Sequence, residues 1–492
     1  MGESRYRFGP LERRGLIAGW RGGQIASVAG GLILAVLALR RPDVPGVLVA
    51  LVAVGGSVML ACWPIAGRTG EEWLPTVAHW GVRAAQGGVR RPAVPWRGHR
   101  RAGGGQIELD GASAGRDGSF GGLRLFAARA PGTPSSDEGA GVIFDGRAGT
   151  YTAVLSLRGH GFALLGSDEK DHRVAGWSAV LASLAREHSV VHRLQWLASA
   201  LPDDGRAVRG HLAERAALPE DSGARASYGE LLGVVGGDTC RHDVHLAVQI
   251  QPGRAVARAL RAAGGGKRGA CAVLLREVAA LRRQLVDADV AVADPMSPGA
   301  LAALIRRSGE SEPLSDRVGT SEAWPWPIAT SVRWDCLRTD ATWQATYWIA
   351  EWPRVEVGPE FLAPLLLGPV RRTVSVVMEP LSPSRATRQV EQARTADVAD
   401  SELRRRGGFL PTARRAREAE LVERREAELA DGHASFRFSG YVTVTAPTPE
   451  QLAEICETTE QAAGQARLEL RRLFGDQERG FACTLPLCRG LA

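Results

Sequence analysis

Two apolar stretches without a charged residue, Gly22–Leu39 and Val44–Ile65, stand near the start of a chain whose remainder mixes apolar and polar positions. At about 1.5 Å rise per residue they make rods of roughly 27 Å and 33 Å, against a bilayer core of about 30 Å. Only Arg40-Arg41-Pro42-Asp43 separates them. Pro42 and Pro45 bracket that turn, where a missing backbone donor does little harm. The pattern predicts a transmembrane helical hairpin over residues 22–65. Gly30, Gly31, Ala35, Gly55, Gly56 and Ser57 would let its two backbones approach closely. A buried hairpin in a soluble core is the competing reading. A signal peptide fits worse, because a second apolar run follows at once.

The flanks set an orientation. Trp20 and Trp63 sit near the outer ends, where amphipathic rings favour the membrane interface. Arg5, Arg7, Arg13, Arg14 and Arg21 precede the first run, and Arg68, Arg83, Arg90, Arg91, Arg97, Arg100 and Arg101 follow the second. The turn holds only Arg40 and Arg41. The positive-inside rule then places both termini in the cytoplasm of a two-span protein of the inner, or plasma, membrane. The expected membrane-flanking residues are Trp20, Arg21, Arg40, Arg41, Trp63 and Arg68.

Beyond a basic leader (1–21) and the hairpin (22–65), residues 66–140 read as a juxtamembrane helix, EEWLPTVAHWGVRAA, and a Gly/Pro-rich linker with a short strand at Leu123–Ala128. Residues 141–320 carry strands Gly141–Asp145, Tyr151–Leu157, a short one at Phe162–Leu165, Val190–Ala198 and His242–Gln251. Their helices are Asp168–Glu187, capped by Ser167 or Asp168, then Gly269–Val286 and one from Ser297. Residues 321–492 repeat the order. Hairpin Ile328–Leu337/Thr342–Glu351 turns at Asp340, and strand Arg372–Met378 follows a short helix. A single long charged helix is expected over Pro383–Leu429, then strand Ser435–Thr445, helix Pro449–Arg467 capped by Thr448, and strand Leu468–Leu473. The expected fold class is α+β: a two-helix membrane hairpin followed by two related cytoplasmic subdomains of the split β-α-β, ferredoxin-like kind, with helices on one face.

Composition changes this picture little. The chain has 492 residues, 45% of them hydrophobic, and a net charge of +7. Much of the excess lies beside the apolar runs, where an anionic leaflet explains it without nucleic acid; whether the basic segments also touch DNA stays open. Lysine occurs only at Lys170 and Lys267. The seven cysteines contain no C-x-x-C pair, which suits reduced thiols in a cytoplasmic domain.

Four segments merit testing for chemistry. Gly264-Gly265-Gly266-Lys267 is followed by Arg268, where a Walker A loop needs Ser or Thr, so it reads as a turn. Cys240, His242 and His245 alternate on a strand, with Cys240 and His242 sharing a face, and lack a second ligand pair. Glu187-His188…His192 has the wrong order for a zinc peptidase. Cys483 and Cys488 flank TLPL and read as packed hydrophobes. Trp324, Trp326, Trp334, Trp343, Trp348 and Trp352 read as core or interface. No catalytic residue, metal site or cofactor is expected.

RYRFGPLERRGLIAGWRGGQI, the apolar pair, GRTGEEWLP and the terminal FACTLPLCRGL together resemble a family of actinobacterial membrane proteins encoded with conjugation or type IV secretion machinery. The hairpin resembles the small PrgI-like inner-membrane subunit. The cytoplasmic part resembles the non-catalytic N-terminal region of the type IV secretion ATPase. The resemblance implies a non-enzymatic scaffold that docks a separate secretion ATPase and other membrane-complex subunits and sits in lipid; association into a homo-oligomer stays open. In the ATPase family a P-loop domain would follow the LPL segment, whereas this chain stops at Ala492. Two other readings keep the anchor: a membrane subunit of a type VII secretion system, or a membrane-bound hydrolase using His188 or His242 with a cysteine.

Overall fold

Gly22–Ala38 (α1) and Val44–Cys62 (α2) form the apolar helices, and Gly70–Ala85 (α3) follows. The second apolar run ends sooner than its composition suggests. Pro64 and Ile65 pair antiparallel with Thr69 and Arg68 in a short ribbon. Pro64 disfavours helical geometry at the residue before it and cannot continue the hydrogen-bond ladder.

The computed structural model describes residues 22–40, 43–62, 70–85, 119–129, 139–158, 161–202, 222–235, 240–254, 256–310, 329–406 and 413–491, with Phe8, Glu214, Trp326, Pro327 and short strands between residues 64 and 110.

The rest is α+β, built on one large antiparallel sheet. Its first half contains Leu123–Ala128 (β1), Ala140–Asp145 (β2), Thr150–Arg158 (β3), Ser167–Leu184 (α4), Val191–Pro202 (β4), Cys240–Ile250 (β5), Gly266–Asp287 (α5), Ala291–Pro295 (β6) and Pro298–Ser308 (α6). The second half contains Leu337–Thr339 (β7), Thr342–Glu351 (β8), Arg372–Leu381 (β9), Pro383–Arg406 (α7), Ala413–Ala430 (α8), Ser435–Ala446 (β10), Pro449–Gln465 (α9), Glu469–Arg472 (β11) and Gln477–Cys483 (α10).

Strands run β7-β8-β10-β9-β4-β5-β3-β2-β1 across the sheet, with β6 beside β3 and β11 beside β8. In the first half β5 lies between β3 and β4 and β6 pairs with β3; in the second half β10 lies between β8 and β9 and β11 pairs with β8. The halves join edge to edge: β4 pairs with β9 from Ala200↔Arg372 to Leu194↔Met378. That pairing removes two exposed edges, which would otherwise invite association with other chains.

One face of the sheet carries α4 and α5 on the first half, where Leu274 and Val278 of α5 pack on Leu155, Leu246 and Val248, and α9 on the second, where Leu452 packs among Tyr347, Val374 and Val442. Helices on that face were expected. The opposite face is covered too, by α6, by α10 and by the segment after it, around Leu197, Leu301, Phe481 and Leu485.

Local departures have local causes. The expected short strand Phe162–Leu165 is instead a single 3-10 turn, Phe162–Leu164, entered from Gly161 in the left-handed conformation (φ 55°). The expected cap at Ser167 or Asp168 is not used: Gly166 holds the N-cap position without a side-chain bond. Ser297 and Thr448 do cap α6 and α9, each accepting at 3.3 Å. The expected strand Ile328–Leu337 breaks into two at a tight turn closed by Arg333 N–H to the Cys336 carbonyl, 2.8 Å. Asp340 takes the left-handed conformation (φ 50°) in the next turn. The single long helix is two, α7 and α8, packed through Val390, Ala393, Val422 and Leu429 with Arg394 paired to Glu426. Gly407, Gly408 and Pro411, poor helix residues, stand between them, outside the described residues.

Candidate functional site

The largest feature without an internal partner is the outer surface of α1 and α2. Leu32, Ile33, Leu34, Val36 and Leu37 on α1 and Leu48, Leu51, Val52 and Met59 on α2 are exposed; Leu51 is 71% and Val52 66% accessible. So much contiguous apolar surface needs another medium or partner. The helices meet each other through small residues. A side chain at Gly31 would collide with Ser57, and Ala35, Ala50 and Ala61 are buried between them. Gln24 Nε2 donates to the Ala61 carbonyl at 2.8 Å across the pair. Gly30, Gly55 and Gly56 face open space and are not part of that contact. Among the described residues one helix, Val44–Ala61, is long and apolar enough to cross a membrane; α1, at 17 residues, falls short by length.

Of the expected flanking residues, Arg40 is exposed in the turn after α1, and Arg68 lies in the ribbon strand opposite Ile65. Trp20, Arg21, Arg41 and Trp63 lie outside the described residues.

Helix α3 fastens the apolar pair to the sheet. Its N-terminal Gly70 packs so closely on Leu60 of α2 that a Cβ would come within 2.5 Å. Trp73 stacks on Trp334 with centroids 5.7 Å apart, and Trp80 meets the same ring edge-on at 5.7 Å. Phe474 completes the group, 6.1 Å from Trp73. Arg83 pairs with Glu478, whose side chain is 1% exposed, at 2.5 Å. On the same helix Leu74, Val77 and Val82 stay exposed. Part of this helix is therefore protein-bound while another part is apolar and uncovered, as in helices lying at a membrane surface.

The second notable surface is the sheet face beneath the C-terminal segment, which is lined by polar side chains. Gln195, wholly buried, organises it: Nε2 donates to Ser375 Oγ (2.8 Å) and the carbonyls of Cys483 and Leu485 (2.9 Å each), and Oε1 accepts from Cys488 N–H at 2.7 Å. Gln249 donates to the Leu487 carbonyl at 3.0 Å. Thr443 bridges Thr346 and Thr484, at 2.8 Å to each. Arg489 pairs with Asp145 at 2.6 Å, and Tyr441 donates to the Gly490 carbonyl at 2.5 Å. Gly490 is required there: its φ is 118° and a Cβ would press into the Tyr441 ring. The segment is thus held through its backbone, as a bound peptide would be. Gln195 and Gln249 carry no sequence signature; both sit at strand positions that alternation alone would assign to solvent.

A third cluster involves the leader. Phe8 lies among Trp352, Phe361 and Phe438, with centroids 5.3, 5.3 and 6.2 Å away.

The chemical candidates are dispersed. Cys240 and His242 do share a strand face, with His242 exposed and the Cys240 thiol 3.8 Å from the Gly368 carbonyl. His245 points to the other face, where burial lowers its pKa to about 4. The Gly264–Gly266 run has positive φ at all three residues and joins a short helix, Ala257–Ala262, to α5. Lys267 lies 5.6 Å over the Phe144 ring. Glu187 accepts from Ser384 N–H at 2.8 Å at the start of α7, which lowers its pKa. His188 sits in the turn before β4 with φ 63°, and burial lowers the His192 pKa. Burial pushes the Cys483 thiol up to about 12 and raises Cys488 as well, so both are poor thiolates. Trp326 and Trp343 are buried, whereas Trp334 and Trp352 belong to the two aromatic clusters; Trp324 lies outside the described residues. Among the described residues no group of three His, Cys, Asp or Glu could hold a metal ion.

Besides Glu478, the second half buries Glu379 and Arg372. Burial alone would raise the Glu379 pKa, but the Arg437 hydrogen bond (2.7 Å) and the charges of Arg437 and Arg193 outweigh it and hold it low. Arg372, 2% exposed, has no hydrogen-bond partner on any guanidinium nitrogen among the described residues. An uncompensated buried charge costs several kcal/mol. Arg372→Met is therefore expected to raise stability by about 1–4 kcal/mol in urea unfolding of the detergent-purified chain. A loss of stability would mean that the guanidinium has a compensating partner.

The chain matches no protein-family model and no curated protein.

Proposed function

We propose that this protein is a membrane-anchored, non-catalytic scaffold of a type IV secretion or conjugative-transfer apparatus. In this reading α1 and α2 cross the inner membrane as a hairpin, α3 lies along its cytoplasmic surface, and the sheet docks a separate secretion ATPase. The strands β3 to β6 and β8 to β11 are then a duplicated pair of ferredoxin-like units, each with its last strand beside its first and its third between its first and second. The observation that carries the proposal is the uncovered apolar surface of α1 and α2, tied to the sheet through Trp73, Trp80 and Arg83.

Phe8 supports the two-span arrangement. It precedes α1, yet touches Trp352, Phe361 and Phe438, which follow α2. Contact between those segments within one molecule needs an even number of crossings between them. The deep, high-pKa thiols and the helix-capping use of Glu187 favour a scaffold over a hydrolase at those positions.

Affinity purification of a tagged full-length copy from detergent-solubilised membranes tests the docking claim. A hexameric secretion ATPase is expected to co-purify. Recovery of the intact chain from membranes with no ATPase would overturn the docking role, and recovery with small helical secreted proteins and a tandem-domain ATPase would replace it by a type VII role.

A further inference from the structure

We propose that Trp352, Phe361 and Phe438 form a receptor for a single phenylalanine, and that its occupant is Phe8 of this chain's own basic leader. The pocket does not depend on the secretion role. Its three walls come from three elements: Trp352 just after β8, Phe361 before the short helix Ala363–Leu366, and Phe438 within β10. They already touch one another, with Trp352 6.4 Å from Phe361 and 5.3 Å from Phe438, both edge-on. Phe8 enters tilted to Trp352 and Phe361 and edge-on to Phe438, all at separations favoured by aromatic pairs.

The backbone takes part as well. Phe8 N–H donates to the Pro353 carbonyl at 3.3 Å, so the leader is held by a main-chain bond beside a filled side-chain pocket. That combination is how extended peptides are commonly recognised. Gly440 makes room for the pocket wall: a Cβ there would lie 2.7 Å from the Trp352 ring and 2.6 Å from Ile349. Phe438 keeps 40% of its surface exposed with Phe8 in place, so one side of the pocket opens to solvent.

The consequence is a clamp. The C-terminal end of α2 reaches the second half of the sheet through α3, Trp334 and Phe474. The N-terminal end of α1 reaches the same half through the leader and Phe8. Both ends of the apolar pair are then fastened to one body, which fixes how the sheet sits against the membrane.

A cysteine pair in the full-length chain tests this. Arg7→Cys with Arg354→Cys, which flank the Phe8–Pro353 main-chain bond and leave all four rings in place, oxidised mildly in membranes, is expected to give an intramolecular species of faster mobility that reverts with reductant. Arg7→Cys with Val398→Cys, on exposed α7, is expected to give none. Covalent dimers in place of the fast species would assign the pocket to a neighbouring copy's leader, and absence of any cross-link would overturn the pocket altogether. As a second readout, a labelled synthetic peptide of residues 1–15 is added to full-length Phe8→Ala protein. It is expected to bind saturably, at least tenfold more tightly than the same peptide carrying Phe8→Ala, and to lose that advantage on Phe8→Ala/Phe438→Ala protein. Equal binding of the two peptides would contradict the assignment. Neither readout involves an ATPase, so the pocket and the docking role can fail separately.

Discussion

Gln195→Leu is expected to release the C-terminal segment from the sheet and to destabilise the chain by roughly 3–5 kcal/mol. The leucine would fill much of the volume, so the effect is not a cavity. It comes from the groups left behind: the carbonyls of Cys483 and Leu485 and the N–H of Cys488 lose their partner in a site that excludes water. Each such orphaned group costs about 1–3 kcal/mol. Gln249, Arg489 and Tyr441 would still hold parts of the segment, so the loss falls short of the full sum. Urea unfolding of the detergent-purified chain measures the energy. Limited trypsin digestion gives the local readout, with cleavage after Arg489 rising many-fold. A stability change under about 1 kcal/mol, with Arg489 still protected, would show that the glutamine is not the organiser of this face.

Leu51→Arg is the second large effect, and its sign separates two pictures of α2. Leu51 is 71% exposed and central in the apolar Val44–Ala61 stretch. In water, an exposed leucine-to-arginine change on a helix is close to neutral, within about 0.5 kcal/mol, and aids solubility. At the centre of a membrane span, arginine costs about 2.5–3.5 kcal/mol on insertion scales. The marginal length of α1 leaves little to offset that cost. The variant is therefore expected to leave the carbonate-resistant membrane fraction and to be degraded or aggregated. Unchanged expression with better solubility would identify the apolar pair as a soluble surface.

What the sequence made legible follows the range of the forces involved. Apolar runs announce α1 and α2 because an unbroken apolar stretch is a property of consecutive residues. The exact end of α2 was not legible from hydropathy, since Pro64 acts through backbone geometry and Ile65 remains apolar within a ribbon. Alternation located β3, β5, β8 and β10 well, because the side-chain period of a strand is local. It gave no sign that β4 and β9 pair across the two halves, as neighbours in a sheet are chosen by long-range packing. Helices on both faces were missed for a related reason: α6 and α10 are short, and which side they cover depends on where the chain enters the sheet.

The polar face was the least legible part. Gln195 and Gln249 stand at inward positions of strands, and a polar residue in an alternating pattern ordinarily marks solvent. Here those positions face a backbone segment about 290 residues away in the chain for Gln195 and about 240 for Gln249. The terminal FACTLPLCRGL stood out through its two cysteines and a family resemblance, neither of which marks it as the stretch those glutamines bind. Phe8 likewise carries no periodic signal; its pocket is assembled from residues near 352, 361 and 438.

The central claim is that α1 and α2 form a membrane hairpin with the sheet on the cytoplasmic side, and single-cysteine labelling of intact cells tests it most directly. Asp43→Cys, exposed in the turn, should react with a membrane-impermeant maleimide from outside, whereas Glu420→Cys, exposed on α8, should react only after permeabilisation. Equal labelling of Glu420→Cys in intact cells, or recovery of the unmodified chain in the soluble fraction, would contradict the account.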